Sequence, residues 1–336
     1  MFGCSAAVVG VALAVMVPLS ASAQQDKLAQ TGLKFLSVSV DPRSAGLGDA
    51  VTAIEGGSEM LFHNPAGMAR QEGAISLSVG QMSWIADIEY NAASVSFKPA
   101  GGRLGVIGFS LVSVSFGEIE ETIRFDNEQG FLDVGRFEPS AWSVGVGYSR
   151  ELTDRFSVGG IVKYVSQDLG NSIIQTQGEN DYTRSDNTAG VAAFDFGVLY
   201  KTGFRSMNFA VTARNFSREI EYEEESFQLP LTLRIGLSMD LLDLRRAGPG
   251  SHTLLMSVDA ENPRDFSEQM NAGLEYAFQN RVMLRAGYTF PTDEQGLTAG
   301  LGVSQPLGSL RFGADYSYTE FGVFSGVHRL ALRFSM

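Results

Sequence analysis

Cysteine is all but missing: Cys4 is the only one in 336 residues. It lies just before Ala6–Leu19, an apolar stretch with the length of an export-signal core, and Ala21-Ser22-Ala23 then offers a small-residue cleavage site. A signal over residues 1–23 leaves a mature chain starting at Gln24 with no cysteine at all. That excludes a disulfide framework, a thiolate metal site and a thiol nucleophile. Met1–Ala6 also lacks the Lys or Arg that normally precedes such a core. After residue 23 no run of about 18 apolar residues occurs, so no segment reads as a membrane-spanning helix. Basic residues are too few to neutralise phosphates: 25 against 38 acidic residues, a net charge of −13. Nucleic acid is therefore excluded as a partner. Only three histidines are present, His63, His252 and His328, and no G-x-S-x-G elbow occurs. The chain reads as a non-enzyme that needs no cofactor and no metal.

What is abundant points elsewhere. Thirty-eight glycines and 23 phenylalanines accompany a mean hydropathy near zero. Such a balance fits a wall that is apolar on one side and polar on the other. From Gly73 onward the sequence alternates with a period of two. In Leu231–Asp240, Leu231, Leu233, Ile235, Leu237 and Met239 share one face, with Thr232, Arg234, Gly236, Ser238 and Asp240 on the other. Segments 282–290, 309–318 and 327–336 repeat the pattern. A soluble sandwich also alternates. These strands, however, run to about 9–11 residues, the span a tilted transmembrane strand needs. Their polar faces carry glycines and full charges, and Tyr288, Phe290, Tyr316 and Tyr318 sit towards strand ends, as in a membrane interface.

Fourteen strands are predicted, at 74–84, 88–98, 103–116, 139–151, 155–168, 188–201, 206–215, 230–241, 252–262, 269–278, 281–290, 296–304, 309–319 and 326–335. Short connections follow the even-numbered ones, while 117–138, 169–187 and 216–229 are long. The expected fold is an all-β, fourteen-stranded antiparallel transmembrane barrel over 73–336. Its short turns face the periplasm, as do both chain ends.

Residues 24–72 do not alternate. Two stretches share a helix-start grammar: Asp41 then Pro42, and Asn64 then Pro65, each an N-cap followed by proline and small residues. A barrel of about fourteen strands is too wide for wall side chains alone to fill. The segment is therefore expected to be a short helical hatch, either a plug inside the barrel or a lid beneath its mouth. The volume to be occupied favours the plug.

These stretches, "GLKFLSVSVDPRSAGLGDA" and "FHNPAGMAR", resemble the N-terminal signature of the PorV/PorQ proteins, themselves similar to FadL-type fatty-acid transporters. The resemblance implies an outer-membrane barrel of fourteen strands with its N-terminal segment inside. Its motif residues fall on Arg43, Gly46, Gly48 and Asp49, and on Asn64, Pro65, Ala66 and Gly67. It also implies one of two roles. PorV-like proteins serve type IX secretion, receiving cargo by its C-terminal domain. FadL-like proteins pass hydrophobic molecules across the outer membrane.

Three further groups are candidates. Inward positions carry Arg214, Arg234, Arg285, Arg311, Arg329 and Arg333 beside Asp240, Asp259 and Asp315. They form either a self-paired ladder or a seat for an anionic headgroup or a plug carboxylate, and the cost of unpaired buried charge favours the ladder. Phe321, Val323 and Phe324 in the last loop offer an apolar surface rim for a translocon or secreted cargo. A hydrophobic ligand would instead need an apolar pocket above Asn64 and a break in the wall, for which Gly105, Gly108 and Gly117 are the available hint. Glu219–Glu225 reads as a solvated acidic loop. Lipid of the outer membrane is the remaining expected partner.

Overall fold

The computed structural model describes residues 31–175, 182–222, 225–245, 251–292 and 295–336. The export signal expected over 1–23 lies outside the described residues. Eighteen strands follow residue 73. They are β1 (Ile75–Ser83), β2 (Glu89–Phe97), β3 (Val106–Ser115), β4 (Ile119–Arg124), β5 (Phe131–Phe137) and β6 (Ser140–Thr153). Next come β7 (Phe156–Gln175), β8 (Tyr182–Lys201), β9 (Asn208–Ser217), β10 (Ile220–Tyr222), β11 (Glu225–Phe227) and β12 (Thr232–Asp240). The last six are β13 (His252–Pro263), β14 (Gln269–Phe278), β15 (Val282–Phe290), β16 (Gln295–Leu307), β17 (Leu310–Phe321) and β18 (Val327–Ser335).

Fourteen of them close into one antiparallel barrel, and each of the fourteen corresponds to an expected strand. The ring shuts where β1 pairs with β18, from Ser76 opposite Ser335 to Ser83 opposite His328. Closure pairs every wall strand on both sides, which is what lets strands cross hydrocarbon. The remaining four strands correct the reading of the long loops. Residues 117–138 contain the β4–β5 hairpin, and 216–229 contain the β10–β11 hairpin. The third long connection is partly wall, since β7 and β8 continue pairing past a bulge after Asp168.

Alternation sorts the side chains as their polarity demands. In β12, Leu233, Ile235 and Leu237 are about half exposed on the outer face, whereas Arg234 and Ser238 are buried. Outward aromatics fall into two belts. Phe97, Tyr148, Tyr200, Tyr276, Phe278 and Phe312 lie towards the short-turn end, and Trp142, Tyr164, Tyr288, Phe290, Tyr316 and Tyr318 towards the long-loop end. Rings with an apolar body and a polar edge settle at the two membrane interfaces.

Residues 31–72 run inside the barrel. Thr31 bridges to Gln228 beside β11, so this segment begins at the long-loop end. It leaves at the short-turn end, where Ala74 N–H donates to the carbonyl of C-terminal Met336. Met336 thus lies beside the short turns, whereas the other expected end, Gln24, lies outside the described residues. Along the way lie helix α1 (Pro42–Gly46) and three 3-10 turns, Lys34–Ser37, Ser58–Phe62 and Pro65–Arg70. Asp41 caps α1 by accepting from Ser44 N–H, and Asn64 caps the third turn by accepting from Ala66 N–H.

Candidate functional site: the occupied lumen

The segment meets the wall at glycines. A Cβ on Gly300 would lie 3.3 Å from Gly46 Cα, and one on Gly287 only 2.1 Å from the Gly48 nitrogen. Gly273 seats Leu47, Gly236 seats Thr52 and Ala53, and Gly197 and Gly159 seat Asn64 and Pro65. Gly147 and Gly108 receive Leu61. Eight strands thus each contribute one glycine where backbone or a buried side chain comes close. The inward glycines are recesses cut for the segment. Gly48 and Asp49 also need their positions for another reason: both adopt left-handed backbone (φ 61°), and the Gly48 carbonyl accepts from Thr289.

Charges fix the same contact. Arg43 on α1 donates from Nε and Nη2 to Glu275 of β14 (3.1 and 2.8 Å). Glu275 also accepts from Arg285 Nε at 2.5 Å, and Arg285 Nη1 donates to Asp315 at 2.6 Å. Arg333 closes the row on Asp315 at 2.5 Å. This chain of alternating charge runs from the segment through β14, β15, β17 and β18, with Glu275, Arg285 and Asp315 desolvated but paired on both sides. A second cluster holds Asp49 and Thr52: Arg234 donates to the Asp49 carbonyl (3.2 Å) and pairs with Glu261 (2.8 Å), while Asp259 accepts from Thr52 N–H (2.9 Å). Arg329 donates to the Ser39 carbonyl and to Thr319, both at 2.8 Å.

Three ladder expectations need correction. Asp240 is no lumen partner; it ends β12 and caps the following turn, accepting from Leu242 and Leu254 N–H. Arg311 lies at the short-turn rim, its side chain 47% exposed, beside Glu72. Both follow from position, since the alternation that points a residue inward does not place it at mid-depth. Arg214 makes no ion pair or hydrogen bond among the described residues, and its Nε is buried. The ladder's essential carboxylates, Glu275 and Glu261, were legible only as inward positions two residues from Gly273 and Asp259. Lys163, Asp195 and Asn215 form a further buried triad, with Lys163 Nζ 2.7 Å from Asp195 and 2.6 Å from Asn215.

Asn64 is fully buried and uses its whole amide: it accepts from Ala66 N–H (3.0 Å) and donates to the carbonyls of Thr52 (2.8 Å) and Val198 (3.3 Å). Pro65 and Ala66 are buried with it, and Gly67 admits the carbonyl of Ile54, which would lie 2.7 Å from a Cβ. Beside them His63 is buried, and neither ring nitrogen has a partner among the described residues.

The two halves of the lumen differ. Towards the long loops the space is apolar, with Leu33, Phe35, Leu36 and Val40 of the segment packed on Met82, Tyr90, Val114, Val165 and Val327 of the wall. Towards the short turns lies a polar cavity of about 470 Å³, bordered by Arg43, Glu55, Glu59, Arg70, Glu275 and Arg285. At the rim, Val323 and Phe324 are exposed, but Phe321 is not: its ring packs edge-on against Trp84, 4.8 Å away, at the border of the apolar cluster. The glycines read as a lateral exit serve other ends. Gly108 makes room for Leu61 and Met68, while Gly105 and Gly117 are left-handed residues beside β3, whose pairing to β2 and β6 is continuous. Among the described residues no three His, Cys, Asp or Glu side chains group as metal ligands. His63 faces the lumen, whereas His252 and His328 lie outside against Tyr276 and Tyr316. Glu219, in the acidic loop, accepts from Gln228; Glu223 and Glu224 of that loop lie outside the described residues.

A closed antiparallel barrel of fourteen strands, apolar outside and threaded by residues 31–72, defines an outer-membrane β-barrel with an occupied lumen. Solved structures agree on that fold: the Pseudomonas putida toluene transporter TodX (TM-score 0.54, 12% identity, 87% of this chain and 96% of that one), the CymD monoaromatic hydrocarbon channel (0.56, 10%, 90% and 98%) and a Pseudomonas aeruginosa FadL homologue (0.50, 11%, 88% and 97%). Residues 135–334 match the family of type IX secretion system membrane proteins PorP/SprF, and the chain belongs to that family. The PorV/PorQ-like motifs, at residues 32–70, lie outside the matched span. No curated protein matches the chain in sequence.

Proposed function

We propose that this protein is a non-enzymatic outer-membrane component of type IX secretion, acting as a fixed docking barrel at the cell surface rather than as a conduit. The observation that carries this reading is the seated segment. Eight wall glycines and the Arg43–Glu275–Arg285–Asp315–Arg333 row hold residues 31–72 across the lumen. Closing the pore leaves the long-loop end as the working surface. At that end lie the β4–β5 hairpin, the β10–β11 hairpin, and the exposed Val323 and Phe324. Short turns then face the periplasm, and translocon or cargo domains meet the hairpins. Deleting 118–138 and joining β3 to β6 by a short turn tests this. Loss of surface delivery of type IX cargo with the barrel still heat-modifiable is the expected result; normal delivery would refute it.

A second reading has its own support, the apolar long-loop half of the lumen together with the hydrocarbon transporters that share the fold. It makes the barrel a carrier of hydrophobic molecules, in which residues 33–40 give way to a ligand. Mass analysis of organic extracts from purified protein separates the two, since only this reading expects a bound apolar compound.

A further inference from the structure

The short turns share a pattern that neither reading uses. The β2–β3 turn presents Leu104 beside Arg103, and the β6–β7 turn presents Leu152 near Arg155. Phe204 and Arg205 follow in the β8–β9 turn, Leu244 and Arg245 in the β12–β13 turn, and Phe278 and Arg281 around the β14–β15 turn. Each apolar side chain is exposed, and each of the five arginines is exposed with its guanidinium making no hydrogen bond or ion pair to a described residue. At the β16–β17 turn Leu307 is exposed as well, but Arg311 lies near Glu72. The other end is of opposite sign: residues 117–138 hold seven carboxylates against two arginines, and Arg136 there is shared by Glu118 and Glu120.

We infer that the short-turn rim binds the headgroups of anionic phospholipids, one arginine and one apolar anchor at each of five turns. An exposed Leu or Phe at the edge of the aromatic belt is stable where acyl chains begin, and an adjacent unpaired guanidinium then sits at the depth of the phosphates. Its planar fork of donors matches phosphate oxygens two at a time. The spacing selects lipid over a protein partner. Successive turns are two strands apart, about 10 Å along the rim, and the five are spread from β2 to β15. A docked protein would cover one side of such a circle, whereas annular lipid covers all of it.

Native mass spectrometry of the full chain, reconstituted in nanodiscs of phosphatidylglycerol and phosphatidylcholine at equal ratio and released, reads lipid retention directly. Wild type is expected to keep phosphatidylglycerol several-fold over phosphatidylcholine. Replacing Arg103, Arg155, Arg205, Arg245 and Arg281 by Gln should abolish the preference, whereas Arg124→Gln with Arg136→Gln at the opposite end should leave it intact. Equal retention of both lipids by wild type, or a preference that survives in the five-residue variant, overturns the inference. Should that variant fail to fold, the pair Arg103→Gln and Arg281→Gln is expected to lower the preference, and no change would count equally against it.

Discussion

The two halves of the lumen hold the same segment by different physics. From the short turns to mid-barrel the contacts are directional: alternating charges, backbone carbonyls and glycine recesses that admit one placement. Thr289 on Gly48 and Arg329 on Ser39 carry such contacts further towards the long loops. On the long-loop side they are apolar and depend on volume, with Phe35 and Leu36 filling a space lined by valines and Met82. Directional contacts specify position, and apolar contacts supply burial at little cost in specificity. A segment held both ways is pinned at one end and upholstered at the other.

That contrast can be broken from either side, and thermal unfolding followed by gel mobility measures each change. Asp315→Ala has the largest expected effect, because it strips Arg285 and Arg333 of a shared buried partner; losses of such partners cost about 3–5 kcal/mol. Phe35→Ala comes next, at about 3 kcal/mol for a large ring removed from an apolar core. It should leave the segment in place, so permeability to bulky antibiotics stays as in wild type; a leaky membrane would show that the apolar half also sets position. The smallest expected change in stability is that of Asn64→Leu, about 2 kcal/mol for buried backbone groups left without partners. Because the cap ties the segment to Val198 on the wall, this variant should nonetheless admit bulky antibiotics. Unaltered permeability would mean that the segment is held without it.

Much of this was legible before the fold was known. Period-two alternation placed all fourteen wall strands, since a one-residue slip would turn every lipid-facing side chain inward and the pattern tolerates no ambiguity. The caps at Asp41 and Asn64 were equally plain, because proline after a capping side chain is a local signal. What escaped was depth and partner. Alternation marks Arg311 and Arg333 alike as inward, yet one lies at the rim and the other beside Asp315. Glu275 carried no signal apart from its face, because the residue that selects it, Arg43, is 232 positions away. The hairpin 119–137 was hidden as well, since its strands, IEETIR and FLDVGRF, keep no apolar period of two without a lipid face to enforce it.

The passage of residues 31–72 through the ring also brings the end of the filling to the seam of the wall. Ala74, at the end of the threaded stretch, donates to the Met336 carbonyl, and Ser76 of β1 already faces Ser335 of β18. Filling and wall therefore meet at one seam, as the last stave of a cask touches both hoop and head.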